Sequence, residues 1–119
     1  MKRQRMEKSK EYFELHAELC KTFGHPKRLM AINTLRGGER TVTELSKITG
    51  IDTSNLSQHL HLLRDKGLVS TRRDGTRVYY SLSHPNIGKA LDLISSFLEQ
   101  RISHSQEVFA QAETKRSNP

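Results

Sequence analysis

Residues 43–66, TELSKITGIDTSNLSQHLHLLRDK, form two short amphipathic segments on either side of a tight break at Gly50-Ile51. On the second segment Leu56, Leu60 and Leu63 recur at helical spacing, while Ser54, Ser57, Gln58 and His61 take the opposite side. An apolar stripe must pack against something, and the polar side is then left facing outward. Two helices in this arrangement are the pattern of a helix-turn-helix, whose second helix lays small polar side chains into a DNA major groove.

The flanks extend this reading. Downstream, Leu68–Arg73 and Thr76–Leu82 are rich in Val, Thr and Tyr and are joined at Asp74-Gly75, a strong local hairpin signal. Upstream, a first helix is expected from about Glu7 to Phe23. It has two apolar stripes, Tyr12, Leu15, Leu19 and Phe23, and beside them Phe13, Ala17 and Cys20. Gly24 ends it, and Pro26 suits the first turn of a second helix that presents Leu29, Ile32 and Leu35 inward and stops at Gly37-Gly38.

Thr41-Val42 reads as a short strand, with Thr43 capping a third helix that contains Glu44, Leu45 and Ile48 and ends at Gly50. Asp52 caps a fourth helix, Thr53 to about Lys66, which Gly67 terminates. Ser83, His84 and Pro85 start a long last helix with Ile87, Leu91, Ile94, Leu98 and Ile102 at i+4 and i+7 steps, widened by Ala90 and Phe97. The order is α-α-(β)-α-α-β-β-α, a mainly α winged helix-turn-helix forming a single domain over 1–119. Residues 1–6 and about 112–119 are expected to be disordered.

Composition supports a nucleic-acid partner and excludes several others. Twenty Lys and Arg against 13 acids leave a formal charge of +7, which points to a polyanion, either nucleic acid or an anionic membrane. No apolar run approaches the roughly 18 residues of a membrane span, and the charged N-terminus lacks the apolar stretch of a signal peptide. Cys20 is the one cysteine, so neither an intramolecular disulfide nor a cysteine-cluster metal site is available. A cytoplasmic protein follows. With 119 residues and 34% hydrophobic content the core is modest, and oligomerisation is expected to add stability. There is no phosphate-binding glycine loop, nucleophile elbow or paired carboxylates with a His in a plausible pocket, so an enzyme is not expected.

The residues expected at DNA are Thr53, Ser54, Asn55, Ser57, Gln58 and His61 on the fourth helix, and Arg72, Arg73, Thr76 and Arg77 on the hairpin. Hydroxyls and amides approach base edges without steric clash, and Gln58 is suited to bidentate pairing with adenine. Guanidinium groups around a tight turn suit phosphates or a narrow minor groove. Asp74 reads as turn chemistry, and His59, one turn from Leu56 and Leu63, as flank packing beside a phosphate contact. The alternative on the same charge is a non-specific architectural DNA-binding protein, which would use apolar wedges and lysines in place of Ser, Asn and Gln.

Residues 19–83, from LCKTFGHPKRLM through TELSKITG and LSQHLHLLRDKGLV to RRDGTRVYYSL, are similar to the ArsR/SmtB family of repressors. The resemblance implies a homodimer built from the first and last helices, with the fourth helix of each subunit reading half of an inverted repeat and an inducer relieving repression. The apolar stripes then place Phe13, Ala17, Cys20, Leu91, Ile94 and Leu98 at the dimer interface. The family's metal sites are not expected. Where it has a Cys-Val-Cys stretch this chain has Glu44, Leu45 and Ser46, and at its zinc positions stand His84, Asn86, Phe97 and Gln100. No metal or other cofactor is assigned. An unconventional site from His104 and Glu107 with His16 or His84, oxidation of Cys20, and a small organic molecule at the interface remain open as inducer chemistry, as does the absence of any inducer.

Overall fold

Capping chemistry sets where each helix begins. The structure, a computed structural model, describes residues 8–117, with side chains through residue 111. Ser9 accepts a hydrogen bond from the Tyr12 backbone N–H at 3.3 Å and starts α1, Lys10–Phe23; Glu7, the expected start, lies outside the described residues. Pro26 opens α2, Pro26–Leu35, behind the N-cap His25, whose Nδ1 accepts from the Lys27 backbone N–H at 3.1 Å.

α3, Val42–Thr49, begins earlier than expected. Its cap is Thr41, not Thr43, because Glu44 stands three residues after Thr41 and closes a reciprocal capping box. Ser46, three residues after Thr43, has no such reach. Strand β1 is therefore Arg40–Thr41, and Val42 is already helical. Asp52 caps α4, Thr53–Asp65, its Oδ1 accepting from the Asn55 backbone N–H at 2.9 Å. Gly67, at φ +76°, ends α4 in a Schellman motif: its N–H donates to the Arg64 carbonyl and that of Leu68 to the Leu63 carbonyl, both at 2.9 Å.

β2, Val69–Asp74, and β3, Arg77–Leu82, pair antiparallel, and β1 pairs on the other side of β3. Asp74 lies opposite Arg77, so the loop is Gly75-Thr76, one residue later than expected. Gly75 holds φ +63° at the first central position, as a type II′ hairpin turn requires, and Thr76 does not need a positive φ. α5 spans Pro85–Ser117. The end expected to be disordered from about 112 is thus helical through Ser117, while residues 1–6, 118 and 119 fall outside the described part.

The chain divides into two compact units, Met1–His84 and Pro85–Pro119. Within the first, each of three helices turns inward a stripe of buried and half-buried residues at i, i+3, i+4 and i+7. These are Arg28, Ala31, Ile32 and Leu35 on α2, Val42, Leu45, Ser46 and Thr49 on α3, and Leu56, His59, Leu60 and Leu63 on α4. Ile32, Leu45, Leu56, Leu60 and Leu63 are completely buried. Leu29 and Ile48 lie off these stripes and are 37% and 54% exposed, although Leu29 was expected inward. Neither α1 stripe is buried along its length; Tyr12 and Phe23 are half-buried, and Phe13, Leu15 and Leu19 are exposed.

α5 makes up the second unit. Leu91 is half-buried, but Ile94, Phe97, Leu98 and Ile102 are exposed. A single helix has no second layer of its own to cover such a stripe.

Candidate nucleic-acid interface

The turn between α3 and α4 is wired so that α4 leaves it at a defined angle. Gly50 takes the left-handed conformation, φ +77°, and its N–H caps the Ser46 carbonyl at 2.9 Å. Ser46 Oγ donates to the Ile51 carbonyl, and the Ile51 N–H donates to Thr49 Oγ1 at 3.3 Å. Ile51 itself is buried, which anchors the middle of the turn.

From that anchor α4 turns one side inward and the other out. Leu56, Leu60 and Leu63 are fully buried, whereas Thr53, Ser54, Ser57, Gln58 and His61 are exposed and Asn55 is half-buried. Ser54, Ser57, Gln58 and His61 stand at i, i+3, i+4 and i+7, so the structure brings them onto one face. Thr53, Ser54 and Asn55 lie at the N-terminus, where the helix dipole favours an anion, although the Asn55 N–H is already taken by Asp52.

His59 fills the fourth position of the buried stripe. Its ring meets that of His25 with centroids 4.4 Å apart, and the Arg28 guanidinium approaches its Nδ1 at 3.4 Å. Arg28 also donates to the Thr22 carbonyl near the end of α1 at 2.6 Å. Burial, followed by the neighbouring His25, Arg28 and Lys27, pushes the His59 imidazole below its ordinary pKa and favours its neutral form. This packing role agrees with the sequence; the His25 partner had no signal in spacing, since 34 positions separate the two rings.

On the hairpin the three arginines are not equivalent. Residues opposed across an antiparallel pair share a face, so Arg72 sits with Tyr79 and Arg77 with Asp74, while Arg73 sits opposite Val78 on the other face. The Arg72 guanidinium makes two bonds to Glu39, Nε to Oε2 at 3.1 Å and Nη2 to Oε1 at 2.6 Å, and lies 4.6 Å over the Tyr79 ring. This bond, with the charge of Arg72, holds the Glu39 carboxyl below the usual range. Arg73 and Thr76 are exposed, as is Arg77, whose pKa is raised by the Tyr79 hydroxyl and then by the charge of Glu44. Glu39 was missed from the sequence because it is 33 positions from its partner, in a stretch to which no role was assigned.

Arg77 and Thr76 also border an open groove of about 530 Å³ with Thr41, Val42, Thr43, Glu44, Val78 and Tyr80. The Thr41 backbone and hydroxyl beside Glu44 hold its carboxylate below its usual pKa, so at this groove it serves the capping box.

The remaining singled-out residues lie elsewhere. Phe13, Ala17 and Cys20 are exposed on α1, and Leu91, Ile94 and Leu98 follow one another on α5. His104 and Glu107 are exposed three residues apart on α5, and His16 lies beside the Tyr12 ring. Among the described residues no group of three or more His, Cys, Asp and Glu is placed to hold a metal ion. No helix of the described residues is long and apolar enough to cross a membrane.

Residues 25–71 match the model of the family described as bacterial regulatory protein, arsR family. The chain is 38% identical over 96 residues to an uncharacterized HTH-type transcriptional regulator, Rv0081 of Mycobacterium tuberculosis, covering 80% of this chain and 84% of that one. The crystal structure of Rv0081 superposes with a TM-score of 0.75 over 82% of this chain and 98% of that one. The biofilm growth-associated repressor of Xylella fastidiosa is 42% identical over 80 residues, 67% of this chain and 68% of that one. A third likeness is to the homodimeric winged helix-turn-helix DNA-binding domain of Mb0332 from Mycobacterium bovis, described as a possible ArsR-family transcriptional regulator. There the TM-score is 0.73 at 25% identity, over 87% of this chain and 95% of that domain.

Proposed function

The chain belongs to the arsR family of bacterial regulatory proteins, DNA-binding transcriptional regulators and not enzymes, and from that premise we propose that it is a homodimeric repressor of an inverted-repeat operator. α4 of each subunit enters the major groove with Ser54, Ser57, Gln58 and His61 toward the bases. Thr53 and Asn55 meet phosphate at its N-terminus, and Arg73, Thr76 and Arg77 meet the flanking backbone or minor groove. The observation that carries this reading is the split of α4 into a fully buried leucine stripe and an exposed polar face. A helix held that firmly presents its outer side chains in one register, which base readout demands.

Dimerisation is the proposed role of the exposed apolar residues of α1 and α5, among them Phe13, Ala17, Cys20, Leu91, Ile94 and Leu98. A homodimeric relative of the same winged-helix architecture supports it. A repressor of this kind acts in the cytoplasm, where its operator is.

The test is a fluorescence-anisotropy titration against the DNA upstream of the protein's own gene and against a scrambled duplex. A preference of about 10³ or more at physiological salt supports sequence-specific repression. Equal affinity, repeated with duplexes selected from random DNA, overturns it in favour of the architectural role. In the same assay Gln58→Ala is expected to cost about 1–3 kcal/mol on the operator and little on the scrambled duplex.

A further inference from the structure

Arg72 has the hydrogen-bonding geometry of a phosphate contact, but its partner is a carboxylate of its own chain. Two guanidinium N–H groups meet the two oxygens of Glu39 side by side, the fork arrangement that a DNA phosphate also satisfies. Glu39 immediately precedes β1, where Thr41 lies opposite Tyr79, and Tyr79 in turn lies opposite Arg72. Strand pairing therefore places carboxylate, guanidinium and ring together on one face of the sheet.

We propose that Glu39 is an internal competitor for DNA phosphate, which holds Arg72 out of the protein–DNA contact and so sets how much sequence-independent affinity the hairpin contributes. The proposal rests on the reading of the hairpin as a DNA-contacting wing. Sequence-independent affinity comes from neutralised phosphates, and a specific regulator gains selectivity when that part is kept small. A wing with three unpaired guanidinium groups would bind every duplex tightly. Paired with Glu39, Arg72 adds no net charge, and Arg73 and Arg77 remain to make phosphate contacts. Both members of the pair are about half exposed, so water reaches it and it is not locked by burial. Neutralising Glu39 should therefore free the guanidinium without disturbing a core.

The test measures affinity for a scrambled duplex between 50 and 200 mM salt for the full-length protein, Glu39→Gln, Arg72→Gln, the double variant and Arg73→Gln. Glu39→Gln is expected to steepen the slope of log K against log salt by about 0.9, one added phosphate, and to raise affinity about five- to tenfold near 0.1 M salt. Arg72→Gln is expected to leave the slope unchanged, and the double variant to match it. Arg73→Gln is expected to flatten the slope by about 0.9, reporting the wing contact independently of Glu39. A flattened slope in Arg72→Gln, or a gain from Glu39→Gln that survives in the double variant, overturns the competitor. So does an unchanged slope in Glu39→Gln while Arg73→Gln flattens it. Unchanged slopes in both Glu39→Gln and Arg73→Gln overturn the wing reading and the competitor with it.

Discussion

α4 and α5 carry apolar residues at the same kind of helical spacing and meet opposite fates. Leu56, Leu60 and Leu63 of α4 are fully buried, whereas Ile94, Phe97 and Leu98 of α5 are 63%, 61% and 54% exposed. Periodicity states that a face needs covering, but not what covers it. α4 is covered within its own chain by neighbours that arrive through short turns, and its polar side is consequently fixed outward. α5 keeps an apolar stripe that only another layer, in our proposal a second copy, can cover. In our proposal one helix is thus complete in the monomer and serves DNA, and the other is completed by assembly.

The strongest way to break this contrast is to open the α4 core. Leu60→Ala is expected to lower the unfolding free energy by about 2–5 kcal/mol in a urea titration, because a fully buried leucine leaves a cavity as well as lost transfer energy. A loss below about 1 kcal/mol would show that the stripe is covered less tightly than its burial indicates. On α5, Phe97→Ala should act on assembly. The dimer dissociation constant is expected to rise about thirtyfold, equivalent to about 2 kcal/mol, by sedimentation. If the monomer–dimer equilibrium does not move, α5 is not the shared surface around Phe97.

Smaller changes sharpen the contrast. Asp52→Ala removes the α4 cap and is expected to cost about 1 kcal/mol of stability, since the Asn55 N–H loses its acceptor; no loss would mean water replaces the carboxylate fully. The smallest effect is a pH dependence through His59, whose pKa is lowered from 6.5. The unfolded chain then binds the proton more readily, so the stabilising contribution is complete above about 6.5 and declines as pH falls from there through the lower folded value. Melting midpoints between pH 5 and 8 should fall on the acid side, and His59→Gln should remove that part of the slope. Glu39 and Glu44, lowered from 4.5, act in a separate window, with stability lost only as pH falls below about 4.5.

Much of the fold was legible because its signals are local. Asp52, Gly50 and Gly67 sit within a turn of the helix ends they define, and hairpin chemistry requires only adjacent residues. The misplacements share a cause as well. Thr41 and Thr43 are both competent caps, and the choice depends on Glu44 reaching back to one of them. Asp74-Gly75 and Gly75-Thr76 are both plausible loops, and strand register decides between them. Leu29 is apolar at a nearly inward position, and its exposure follows from where the neighbouring helices lie. The polar face of α4 was visible for the same reason as its leucines, since both follow from one helical period. The unequal arginines of the hairpin were not, because composition counts charges and cannot show which of them are already neutralised.

The sequence by itself determined that this chain forms a winged helix-turn-helix with a polar-faced fourth helix and a basic hairpin, because periodicity, caps and turn residues act over a few positions. Only the tertiary structure decided that His59 lies against His25 and Arg28, that Arg72 is held by Glu39, and that the apolar stripe of α5 stays exposed. Those outcomes depend on groups brought together across about 30 positions or on what else packs against a helix, and no local spacing encodes either.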